Sequence, residues 1–555
     1  MRNTLNTMLS RILISALLVG MLSNCAEPPK QEPIVSGSTY DELVTFFNDW
    51  REFESPEMKN GVPDYSKDTM EKQFSDLRIW QQRLNGFDTA GWSVKEQIDW
   101  YLILAEMNGL EFRHRVTHPW SSDPAFYVWF YPYPTDVPSR EGPVIHGAVE
   151  LPKYKQPLSN EDASEIATKF GQINGVYEEA KRNLNSNAKD LWVLGTRSIR
   201  EQGDEFEKFA TEVRDTYPDL ADASIKAKQA SDDFAKWLDE QAASKTGTSG
   251  VGKENYSWNL KKVHLIPYSW EDEVTLMQRE LQRAHASLAF EAHQNRKLPK
   301  LEKADIAKQF DKMLEDAHQE LMRFYKEQGI ITMKDYMEPA MREQIMEFTP
   351  FDGIRGFFHE IHYRDPMPLN CHFFHWIELA RIREEPNDSP IRRVPSLYNI
   401  FDARSEGMAT AMEELMMNAG LYKNRPRGRE LVYIMLAQRA ARGLGGLYQH
   451  GLEMDFDEAT KYASKWVPWG LLPADGGTIQ HEEHFYLQQP AYGTSYVIGK
   501  IQIDQLIAEY TRQRNGIFNM KEFMDEFSRV GELPISLVYW QMTGDKSMLN
   551  AALDQ

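Results

Sequence analysis

The stretch from 359 to 422 constrains the chain most. It reads HEIHYRDPMPLNCHFFHWIELARIREEP, then a Pro-broken connector, then SEGMATAMEELMMNAGLY. Both runs show apolar helical faces, and both carry polar groups that an apolar core tolerates only with partners. His372, His375 and Glu378 recur every third residue on the first run; Glu406 opens the second and Glu413 follows. Residues three or four apart share one helix face. Two helices that offer His, His and Glu to one space can hold zinc, as in α-helical metallohydrolases. The same residues on ordinary helices would be capped or hydrogen-bonded polar groups. HxxH pairs also arise by chance, so the pattern names His372, His375 and Glu406 as metal ligands only if they converge.

At 555 residues the chain is too long for one simple core and is expected to form one large or two closely packed helical domains. A net charge of −20 is the wrong sign for binding a polyanion, which excludes nucleic acid as a partner. Near the start, Arg2 and Arg11 bracket the head of a short apolar run at 12–22. The run is too short to span a bilayer and is placed like a signal peptide. The following Leu22-Ser23-Asn24-Cys25 resembles the bacterial lipobox. That resemblance implies removal of 1–24, acylation of Cys25 with chains such as palmitate, and a membrane partner reached through the lipid. Ala26 stands where Asp would signal inner-membrane retention, which points to the outer membrane and a periplasm-facing protein. Cys371 is then left without a disulfide partner.

Residues 25–38 (rich in Pro and Glu) read as a tether. A helical N-terminal region is expected over 39–244, interrupted at 113–159 by a segment dense in aromatic residues and proline. Such a segment is a long ordered loop packed by its own rings, and it serves equally well as a substrate-facing wall or as a plug over the core. Ser159 and Ser269 are placed as helix caps. The small, Gly/Ser-rich run beginning near 242 reads as a linker, with a helical C-terminal region over 245–555. Helices are expected over 303–329, 334–347 and 430–450, and from about 497. In the 430–450 helix, Gly443, Gly445 and Gly446 admit a close backbone neighbour or break the helix. The fold class is therefore mostly α, with a central cleft between the two regions.

There is no Walker loop, GxGxxG, GxSxG or HExxH. Several runs resemble a bacterial family catalogued as domain of unknown function 885, whose members are often lipoproteins and look like distant relatives of helical zinc metallopeptidases. The matching pieces are SEGMATAMEELMMNAGLY, RAARGLGGLYQH, QPAYGTSYVIGK, the DEAT turn and the closing GELP. Position by position, Glu406 takes the place of the family's EGW glutamate and His450 that of the histidine after the RAAR helix. Arg439 and Arg442 keep both arginines, Tyr496 keeps a tyrosine, and Tyr492 replaces a glutamine. The family's His-Glu-x-x-Pro-Gly-His-His departs here to DPMPLNCHFFHW, where His375 keeps one histidine. HEIH at 359–362 puts its two histidines on different faces.

If zinc is held by His372, His375 and Glu406, it lowers the pKa of its water and polarises a carbonyl. Glu378 or Glu360 could then take a proton, and Tyr496, Arg442 or His450 could donate to the developing oxyanion. The expected activity is a peptidase-like or amidase-like hydrolase acting on a peptide. Two rivals stay open: a metal-free lipoprotein binding glycan or peptide, and a metal-independent polysaccharide-active enzyme using His450, Tyr496 and Glu406.

Overall fold

The computed structural model describes residues 38–350 and 356–554; Cys25, with the expected signal and tether, lies outside them. The described chain is a large multi-helical assembly. Its strands are two short pairs: Met58–Lys59 antiparallel with Val62–Pro63, and Phe130–Tyr131 parallel with Val149–Glu150. Helix starts follow the capping chemistry. Ser159 and Ser269 each accept the backbone N–H three residues on, while Asp162 and Asp272 reach back to the cap. No helix among the described residues is long and apolar enough to cross a membrane.

Two large apolar cores form, beside two small clusters, and the large ones do not divide at the Gly/Ser-rich run. One, built from Trp129, Phe130, Phe170, Phe206 and Phe234 with neighbours, lies wholly within 70–238. The other joins the first helices, through Leu43, Trp50 and Leu102, to the C-terminal region, through Leu436, Ile498 and Leu537. The N-terminal helices thus complete the larger core. The Gly/Ser-rich run is pinned rather than hanging: Ser249 Oγ accepts the backbone N–H groups of Asp190 and Leu191. The expected linker, 242–260, is also shorter than its composition suggests: its second half is helix, Lys253–Lys262.

The run expected as one helix around His372 is three, Phe357–His362, Met367–His372 and Phe374–Glu384. Phe373, at ψ 7°, separates the last two, so His372 ends one helix and His375 begins the next. The helix expected over 334–347 shortens to Met337–Arg342. The helix expected from about 497 begins earlier, as Tyr492–Gln513, because Ala491 takes the left-handed conformation at φ 82°. That start places Tyr492 and Tyr496 one turn apart on one face.

Three long helices frame the centre: Asp402–Ala419, Gly428–His450 and Tyr492–Gln513. The first and third cross at Gly407 and Gly499, where a Cβ on Gly499 would sit 1.9 Å from the Ala403 carbonyl oxygen. The second runs unbroken through its glycines; a Cβ on Gly443 would lie 2.7 Å from the Gly493 carbonyl oxygen. Close backbone approach, rather than a helix break, is what these glycines permit.

Candidate functional site

His372, His375 and Glu406 come together. Each offers a ligand atom, and these atoms all lie within 4.8 Å of one another. His372 Nε2 is 3.6 Å from Glu406 Oε2. All three side chains are buried. Neither ring nitrogen of His375 has a hydrogen-bond partner, nor does Glu406 Oε2. Such buried, unmet polar atoms are costly.

The surroundings hold these groups in place. Glu406 Oε1 accepts the Tyr492 hydroxyl at 2.8 Å, and Tyr492 in turn accepts the Tyr496 hydroxyl at 3.0 Å. On the far side of His372, Glu413 Oε1 lies 3.1 Å from Nδ1 and 2.7 Å from Arg439. Arg439 Nη2 lies 3.1 Å from the same Nδ1, so Glu413 and Arg439 together fix the orientation of the ring. The Arg442 guanidinium lies 4.5 Å over the Tyr496 ring and is paired with Glu482.

Charge is unevenly placed. Burial, aided by the charge on His372, pushes the His375 imidazole down to about 3, so it is neutral with a lone pair to give. Burial opposes the charge on Glu406, but the neighbouring His372 imidazole and the hydrogen bond from the Tyr492 hydroxyl outweigh it and hold the carboxyl down at about 2. Burial, then the Glu406 charge, push Asp402 well up and Asp136 up to about 6. A carboxylate that burdens its neighbours in this way suits a cation.

His372 lines a cleft of about 1000 Å³ together with Arg439, Arg442, Tyr492 and Tyr496, and His375 and Glu406 lie behind it, buried beside His372. The opposite wall is the aromatic segment, through Tyr131, Tyr133, Asp136, Arg140 and Glu141. This segment is both wall and plug: Trp129 and Phe130 pack into the smaller core, while Tyr131 and Tyr133 border the cleft.

Glu378, Glu360 and His450 are not brought to the group. The Glu378 carboxylate is taken by Arg381, Arg404 and Ser528. Glu360 pairs with Lys303 at 2.7 Å and Arg364 at 2.6 Å. His450 spends Nε2 on the Tyr486 carbonyl at 2.8 Å and lies outside the cleft lining. Each shares a helix face with chemistry nearby, but core neighbours claim it first. Conversely, Asp136 and Glu141 border the site without having been singled out, since no periodicity marks a loop residue; the density of rings around them was the available signal. Cys371 is a buried free thiol beside the Tyr422 hydroxyl.

The family model described as bacterial protein of unknown function (DUF885) matches residues 52–351 and 375–542. The unmatched gap contains His372, and the match resumes at His375. No curated protein matches this chain. Among solved structures, a candidate lipoprotein of unknown function from Shewanella oneidensis is similar at 15% identity and TM-score 0.66, covering 91% of this chain and 100% of its own. A candidate lipoprotein from Colwellia psychrerythraea is similar at 12% identity and TM-score 0.61, covering 93% of this chain and 99% of its own. These likenesses show the shared fold.

Proposed function

This chain belongs to the DUF885 family of bacterial proteins of unknown function, and from that premise we propose an exported, lipid-anchored hydrolase with a zinc centre at His372, His375 and Glu406. The observation that carries the proposal is the convergence of two imidazoles and one carboxylate, buried and with unmet ligand atoms, at the back of an open cleft. Anchoring through Cys25, at the periplasmic side of the outer membrane, is supported by the lipobox-like Leu22-Ser23-Asn24-Cys25 and by two structural relatives described as candidate lipoproteins.

The donor set fits the ion. Nitrogen and carboxylate ligands suit zinc, His375 is neutral, and Glu406 is ionised. When bound, zinc supplies Lewis acidity toward a carbonyl. The chain's own residues do the rest. Tyr492 fixes the Glu406 rotamer through its hydroxyl. Glu413 and Arg439 hold the His372 ring. Arg442 borders the cleft as a donor for negative charge that develops on a substrate oxygen, where excluded water makes such donors effective, and Tyr496 joins it only when its hydroxyl turns away from Tyr492. Tyr131 and Tyr133 offer ring surface along the opposite wall, suited to peptide side chains.

Elemental analysis of the purified protein beside His375→Ala tests the centre. About one zinc per wild-type chain and a clear loss in the variant are expected; equal zinc in both removes the proposal. Incubation with a peptide pool should yield new amino termini, and a chelator should stop their release. A second reading, metal-free binding of glycan or peptide, draws on the same tyrosine-lined wall and predicts a bound ligand with no cleavage. The polysaccharide-active reading loses support because His450 is committed to a backbone carbonyl away from the cleft.

A further inference from the structure

The aromatic segment brings another oxygen to the candidate centre. Asp136 Oδ2 lies 3.4 Å from His375 Nε2, just as Glu406 Oε2 lies 3.6 Å from His372 Nε2. Zinc bonds of about 2.0–2.2 Å separate the corners of a tetrahedron by about 3.3–3.6 Å. Each pair therefore has the spacing of one edge of such a tetrahedron. We propose that Asp136 is a fourth, displaceable ligand of the centre, so that the wall of the cleft also closes over the metal. The inference rests on the zinc reading given above and extends it to the loop.

Three further observations support it. The Asp136 side chain is 37% exposed, whereas His372, His375 and Glu406 are 10%, 2% and 1% exposed. Of the four, only Asp136 can withdraw without opening the core. Glu141, which accepts the Thr135 hydroxyl at 2.6 Å, is hydrogen-bonded to the Asp136 carboxylate; ligating carboxylates are commonly oriented this way. The segment around it is tied down at both flanks. Arg140 donates to the Tyr133 carbonyl at 2.6 Å, and the Gly142 N–H donates to Gln489 Oε1 at 2.6 Å. Gln489 also donates to Asp402, one turn before Glu406, which links the loop to the helix that carries the carboxylate ligand. Asp136 and Glu406 repel one another across the group, and a dication between them reverses that repulsion.

A site closed by four protein groups has no place for a substrate carbonyl until one of them leaves. The exposed carboxylate is the one that does, so the segment around Asp136 both holds the metal and controls access to it.

The test measures zinc affinity by competition with a chromophoric chelator, and the visible spectrum of the cobalt(II)-loaded protein. Wild type, Asp136→Ala, Asp136→Asn and His375→Ala are compared. Asp136→Ala is expected to bind zinc at least about 10-fold more weakly, with weaker cobalt bands as solvent replaces the carboxylate. Asp136→Asn keeps the side-chain shape and guards against a folding artefact; it should also bind more weakly. If both Asp136 variants match wild type in affinity and spectrum while His375→Ala loses the metal, the centre stands and Asp136 is not a ligand. If wild type itself binds no zinc, the centre and this inference fall together.

Discussion

Gly407 and Gly499 meet back to back: a Cβ built on Gly407 would fall 2.6 Å from the Gly499 Cα, and one on Gly499 would fall 2.8 Å from the Gly407 Cα. The contact lets helices Asp402–Ala419 and Tyr492–Gln513 approach closely enough for Tyr492 to reach Glu406. A Gly499→Ala methyl has nowhere to go, because the Ala403 carbonyl that it meets is backbone. Overpacking of this kind costs about 1–3 kcal/mol and sometimes more. The upper end is expected in urea denaturation, together with weaker zinc binding as Glu406 and Tyr492 separate. Gly171→Ala is the control. It lies in a helix with nothing within 4 Å of the new Cβ, and it should be neutral or stabilising by up to about 1 kcal/mol.

Tyr492→Phe removes the hydroxyl that donates to Glu406 at 2.8 Å and accepts from Tyr496. Loss of a partner that orients a ligand typically lowers metal affinity about 10–100-fold. That range is expected in a zinc competition titration, with the metal stoichiometry at saturating zinc unchanged. An unchanged affinity would mean that Glu406 needs no orienting partner.

Glu378→Gln separates structure from chemistry. Its carboxylate sits with Arg381, Arg404, Glu532 and Ser528 in a buried network. Neutralising it leaves Arg404 facing one fewer carboxylate, and breaking a buried pair costs about 3–5 kcal/mol. A large drop in the denaturation midpoint with full zinc content is expected. Loss of hydrolysis in the folded, loaded variant would instead give Glu378 a role at the cleft.

These residues also show what the chain discloses in advance. His372, His375 and Glu406 were legible because helical spacing sorts side chains by face, and polar groups on an apolar face must meet something. The same rule placed Glu378 near the centre, where it failed, since face alone does not say which neighbour arrives: Arg404 did. The family resemblance placed His450 there, and the Tyr486 carbonyl claims it instead. The break at Phe373 was hidden because no proline or glycine marks it. Asp136 was hidden because a contact between a loop and a helix 239 positions later leaves no local periodicity. The joining of the first helices to the C-terminal core was hidden for the same reason.

Glu273 gives a prediction in pH. It is fully buried, with one oxygen accepting the Tyr256 hydroxyl at 3.3 Å and the other without a partner. Thr494 approaches it, Asp272 is its charged neighbour, and the His450 ring lies tilted beside Tyr256 at 5.3 Å. Burial pushes its carboxyl up to about 8, so the folded chain keeps this proton over a range in which the unfolded chain has lost it. A raised carboxyl pKa makes folding favour low pH. From about pH 4.5, the ordinary glutamate value, up to about 8, the group lowers stability by on the order of 1 kcal/mol per pH unit. Glu273→Gln keeps the shape and the donor while removing the titration. The variant should match wild type near pH 4.5 and exceed it increasingly toward pH 8 in denaturant midpoints measured across that range. A constant difference at every pH would show that Glu273 is ionised in the folded protein and that an unseen partner stabilises its charge.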